Sequence, residues 1–203
     1  MTEATWVDRL APSAPDLVSA WREIEAGRFV TVRREVRRRA GPGTADRIVD
    51  QLAATAGAFL EVLGGAGPAL LARPGGEGEW NVAEAIGHVG ESRAGLCLAA
   101  SKAASGRWPA DAPRVVPGVP GPADADIETL LRKVAQSQRI VERAARSVVG
   151  HETDPCPLLH PEVGRLRCGE WLLFAGVHDL MHLDQLHRLL EHDRSVARVA
   201  AAR

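Results

Sequence analysis

The stretch from Gly169 to His192 carries apolar side chains on more than one side of a helix, and no other feature constrains the fold as much. It contains no proline, and its apolar residues recur at three- and four-residue spacing. With His178 set at zero, Trp171, Phe174, Ala175, Met181, His182, Gln185 and Leu189 fall within about 60° of it around the helix axis. Leu172, Leu173, Val177, Leu180 and Leu183 lie outside that stripe. A helix this apolar needs cover from other helices or from a second subunit.

Three further segments are suited to provide that cover. Thr44 to Leu63 repeats Ile48, Leu52, Ala56, Phe59 and Leu63 along one face. Asn81 to Ala104 opens with Asn81 and Glu84, the spacing of a capping box. Asp124 to Val149 aligns Ile127, Leu131, Val134, Gln138, Val141 and Ala145. Gly- and Pro-rich stretches at 64–78 and 105–122 read as loops, as does 150–167. No alternation is long enough to predict a strand. Four helices of this length predict an all-α fold, a four-helix bundle over residues 43–203. Residues 1–42 form an N-terminal helical extension, with short helices at Asp16–Ala26 and Phe29–Arg39. The second of these contains Arg33, Arg34, Arg37, Arg38 and Arg39, which we read as a solvated helix face rather than an acid- or phosphate-binding site.

Composition narrows the function. No apolar run has the length of a membrane span, and residues 1–10 lack the apolar core of a signal peptide, so a cytoplasmic protein is expected. A net charge of −1 gives no electrostatic case for a nucleic-acid partner. Cys97, Cys156 and Cys168 are too few for a disulfide framework. Cys156, His160 and Cys168 match no standard zinc spacing either. The dominance of Arg over Lys reads as the codon bias of a GC-rich bacterial genome.

His178 and His182 are four residues apart, about 40° around the helix and one turn along it, so both face the interior. Buried imidazoles need partners. These could be each other, a helix neighbour or a metal ion. The 81–104 helix adds His88, on a face shared with Asn81, Glu84, Ala85, Glu91, Ser92 and Ala99. That face is polar for an inward side, which suits a wet site better than a dry core. His187 lies on the opposite side of its helix and is left out.

Two stretches resemble a known family. Glu79-Trp80-Asn81-Val82-Ala83-Glu84-Ala85-Ile86-Gly87-His88 looks like the Trp-then-His signature of the DinB-like (DinB/YfiT) superfamily. His160-Pro161-Glu162-Val163-Gly164-Arg165-Leu166, then Glu170-Trp171 and His178-Asp179-Leu180-Met181-His182, looks like its second half. The resemblance covers about residues 44–192. It implies a four-helix bundle whose ligands to one divalent metal are His88, His178 and His182, often in a homodimer. It also implies metal-dependent isomerases or S-transferases that use a low-molecular-weight thiol of the mycothiol or bacillithiol type. One departure is Cys168, where a Thr or Ser usually caps the last helix, which predicts a weaker cap.

Three neutral imidazoles leave coordination positions open, as catalytic sites do. An all-nitrogen shell admits zinc foremost, with nickel, iron or manganese also suitable. Such an ion lowers the pKa of a bound thiol or water. The expected partner is therefore a small-molecule substrate, with a low-molecular-weight thiol as cosubstrate. A metal-dependent hydrolase, or a non-catalytic stress or binding protein that keeps the fold, is the alternative. Glu91 is the candidate general base. Glu84 is better explained by its cap. Asp179 and Asp184 flank the ligands and are expected at the surface, while Arg93 or Arg165 could meet a polar cosubstrate.

Overall fold

The computed structural model describes residues 4–25, 27–75 and 78–201, with side chains as far as residue 192. Three short helices come first: α1 (Trp6–Leu10), α2 (Pro15–Glu23) and α3 (Phe29–Arg39). The bundle is made by α4 (Ala45–Gly64), α5 (Val82–Ala104), α6 (Ile127–Ala145) and α7 (Cys168–Ala201). Among the described residues no helix is long and apolar enough to cross a membrane.

The expected helices therefore form, and the Asn81–Glu84 capping box closes reciprocally at 2.8 Å in both directions. The packing order follows from which faces are apolar. Both α4 and α5 pack chiefly on α6 and α7, so α4 sits diagonally across the bundle from α5, and α6 from α7. Diagonal neighbours need long connections, which accounts for the loops after α4 and before α7.

Segment 150–167 departs from the sequence expectation. It contains an antiparallel hairpin, β1 (Pro155–His160) and β2 (Gly164–Arg167). Pro155 and Pro157 hide β1 from propensity, since proline is tolerated only in edge strands. Inward-facing Cys156 and Leu158 alternate with those prolines. The hairpin also replaces the missing cap of α7. Cys168 N donates to Asp154 O at 3.0 Å, and Gly169 N to Glu152 O at 2.9 Å. Glu170 Oε2 accepts from Arg167 N at 2.9 Å. The end that Cys168 was expected to weaken is thus supplied by backbone carbonyls and a carboxylate.

The off-stripe leucines of α7 are covered within the chain. Leu172, Leu173, Leu180 and Leu183 are fully buried, and α2 and α3 pack on α7 beside α4 and α5. A Cβ on Gly176 would come within 2.4 Å of Leu17 Cδ2, so only glycine admits this approach. The apolar surface that suggested a second subunit is covered by these helices. Four of the five arginines of α3 are paired as well as solvated: Arg34, Arg38 and Arg39 surround the buried Glu35, and Arg37 reaches the buried Glu170.

One residue joins all four bundle helices. Arg93 on α5 is fully buried and donates to Asp179 Oδ2 on α7 at 2.5 Å, Thr55 Oγ1 on α4 at 3.2 Å, Leu52 O on α4 at 2.9 Å and Gln138 Oε1 on α6 at 2.6 Å. This corrects two expectations. Asp179 is not at the surface, and Arg93 is not free to meet a cosubstrate. Burial pushes the Asp179 carboxyl up to about 6, against the opposing pull of Arg93 and Thr55. With a permanent guanidinium charge beside it, the pair is ionised at neutral pH. Arg93→Leu is expected to cost about 3–5 kcal/mol in urea denaturation, because it strands a buried carboxylate. Arg93→Met combined with Asp179→Leu should cost far less. Equal losses in the single and double variants would show that the charges are not what the core depends on.

Candidate metal centre

Three imidazoles converge between α5 and α7. His88 Nε2 lies 3.2 Å from His178 Nε2, which lies 3.3 Å from His182 Nε2. His88 and His182 are buried and His178 is partly so. Among the described residues these three form the group able to hold a metal ion. The α5 capping box starts the helix that carries His88, and the i, i+4 spacing on α7 sets the other two side by side. The Arg93–Asp179 pair locks the two helices close by, since Asp179 directly follows His178.

Hydrogen bonding fixes where the lone pairs point. His88 Nδ1 donates to Val119 O at 2.8 Å, and a carbonyl can only accept. His182 Nδ1 donates to Gln185 Oε1 at 2.8 Å. In its neutral form each ring therefore directs an unprotonated Nε2 into the cluster. Burial pushes His178 well below the ordinary imidazole range, with His182 and His88 adding to the shift. Burial and His88 push His182 down to about 4, although its bond to Gln185 opposes this. These two rings are neutral at pH 7.

Three inward nitrogens so placed can hold a cation. With all three rings neutral, at most one proton, on His178 Nε2, lies among them, and it can serve only one of the two contacts. A tetrahedral ion bound at about 2.0–2.1 Å spaces its nitrogen donors about 3.3–3.4 Å apart. The observed 3.2 and 3.3 Å match that edge. The donor set, its protonation and its spacing all fit a divalent ion. Acceptors on the remote ring nitrogen are the usual outer support of such ligands.

A family model for the DinB superfamily matches residues 51–186, about two thirds of the chain and all three histidines. The chain belongs to the DinB superfamily. No curated protein and no solved structure matches it significantly. The DinB match begins inside α4, so α1 to α3 lie outside it.

The remaining candidates are placed as follows. Glu91 lies on the wall of a cavity of ≈ 380 Å³ that also reaches His88 and Ser92. Its carboxylate pairs with Lys133 Nζ at 2.7 Å rather than with an imidazole, and its side chain is 53% exposed. Asp184 pairs with Arg188 near the surface as expected, and Arg165 is exposed on β2. His187 stacks on Trp6, away from the triad. Cys97, Cys156 and Cys168 are free and buried.

Sequence reasoning missed two supports of the site. Gln185, placed on the apolar stripe of α7 by its spacing, orients His182. Val119 contributes a backbone carbonyl, for which no side-chain signature exists. What delivers it is legible in hindsight: Gly87 and Gly121 let the loop after α5 cross that helix beside His88. A Cβ on Gly121 would meet Gly87 Cα at 2.5 Å, and Gly121 N donates to Glu84 O at 2.9 Å. Gln185→Leu removes the acceptor that holds the His182 tautomer, and should weaken metal affinity about 10–100-fold in chelator competition. An unchanged affinity would mean that the Gln185 bond has no part in preparing the site.

Proposed function

We propose that this chain is a divalent-metal-dependent enzyme that transfers a low-molecular-weight thiol to a small electrophile. The observation that carries this reading is the set of three inward-facing Nε2 atoms, two of them on rings backed by carbonyl acceptors, opening beside a cavity. Three protein donors leave room for an exogenous ligand, whereas structural zinc sites are closed by four. Zinc is the expected ion.

When bound, the ion supplies Lewis acidity that lowers the pKa of a thiol or water. The chain supplies the rest. Ser92 Oγ lies 3.1 Å from His88 Nε2 on the cavity side, placing a hydroxyl where an incoming group must pass. Glu91, at the cavity wall, takes the thiol proton. The sulfur lone pair forms the new C–S bond, and the leaving group departs with the electrons of the bond that breaks. Apolar walls keep competing water away.

Elemental analysis of untagged protein should find about one zinc, nickel, iron or manganese per chain. The His178→Ala/His182→Ala double variant should lose it while remaining helical by circular dichroism. With a bacterial thiol and a chromogenic aryl chloride, Glu91→Gln should slow transfer about 10²–10⁴-fold at unchanged metal content. A wild-type chain that neither carries nor takes up any of these ions refutes the metal reading. Ester hydrolysis without thiol, in place of transfer, would make the chain a hydrolase.

A further inference from the structure

The cavity beside His88 is an elongated groove. Its floor is one stripe of α5, through His88, Ser92, Gly95, Ala99 and Lys102. Steps of four, three, four and three residues keep one helical face, and fourteen residues span about 21 Å of helix. The walls come from the loop after α5 and from β1, and include Trp108, Val116 and Leu158. Leu98 and Val119 at its edge remain 40% and 50% exposed, unusual for large apolar side chains with nothing covering them.

Charge is placed only at particular points of this groove. Glu91 is matched by Lys133. Lys102, at the end far from His88, is exposed and has no ion-pair partner among the described residues. The middle is kept open by Gly95. A Cβ there would meet nothing within 4 Å, so packing does not require glycine. Glycine inside a helix costs about 1 kcal/mol relative to alanine. A side chain at this position would project into open space that the groove shares.

We propose that the groove binds an extended apolar acid, with its carboxylate at Lys102 and its apolar body lying over Gly95 and Ala99 towards His88. The chemical class is an aliphatic or aryl-aliphatic monoanion whose reactive carbon lies at the opposite end of a long chain from its acid group. This deepens the proposed function, because it rests on the triad as the reactive end. It also assigns the two substrates to different places. A sugar-bearing thiol finds few polar partners between the apolar walls, so the groove beyond Ser92 belongs to the electrophile and the thiol enters at the His88 end, within reach of Glu91.

The test is calorimetric titration with octanoate, decanoate and decanol, on protein as purified and after metal removal by chelator. Each methylene added between octanoate and decanoate should tighten binding about threefold to fourfold. Lys102→Glu should weaken decanoate at least threefold and leave decanol unchanged. Gly95→Leu should abolish binding of both without lowering the melting temperature, since its Cβ has room. Two results overturn the proposal: decanoate binding no tighter than octanoate, or Gly95→Leu binding like wild type. Binding by a wild-type chain that neither carries nor takes up zinc, nickel, iron or manganese would refute the metal reading and leave the groove standing. Metal present without binding would do the reverse.

Discussion

A buried guanidinium holds this bundle together. Arg93 touches α4, α6 and α7 from α5, and its partner Asp179 directly follows a triad histidine. A fully buried ion pair is a poor source of net stability, because desolvation offsets most of the attraction. It does discriminate strongly between arrangements. Any rotation or slip of α7 against α5 would separate the charges and leave both in a low-dielectric core. The same rotation would move His178 away from His88. Pair and triad thus constrain one degree of freedom, the relative placement of two helices.

The triad shows how little of a site need be written in side chains. His88 and His182 are prepared by acceptors on their remote nitrogens, one a carbonyl from a loop and the other a glutamine one turn along the helix. Each acceptor removes a tautomer that would point a proton inward. The fold therefore sets the protonation pattern of a ligand shell through ordinary hydrogen bonds, and burial keeps His178 and His182 neutral.

Much of this was legible from the sequence, for physical reasons that differ from residue to residue. The helices followed from periodicity, the start of α5 from Asn81 and Glu84, and the His178–His182 pair from its place on an apolar stripe. Asp179 was misread because it lies off the histidine stripe, and the cover expected for the off-stripe leucines was not extended to it. It lies about 100° from His178, in the sector of Leu172 and Leu183, which needed cover of its own. A charge among leucines was the available signal, and Arg93 among Val89, Leu96 and Ala100 was its counterpart. The hairpin was hidden by its prolines. The Val119 carbonyl left no trace, since every residue has one.

The diagonal arrangement of the bundle has a consequence for how the protein comes into being. His88 and His178 are separated by 90 positions, and Arg93 and Asp179 by 86. Neither the clamp nor the complete ligand shell can form within one local segment, because both require closure of the same long loop. A chain folded only through α6 holds one ligand and one unmatched buried cation. Docking of α7 thus completes the core and the coordination shell in a single event, and an ion bound there would stabilise the finished fold over every intermediate that lacks α7.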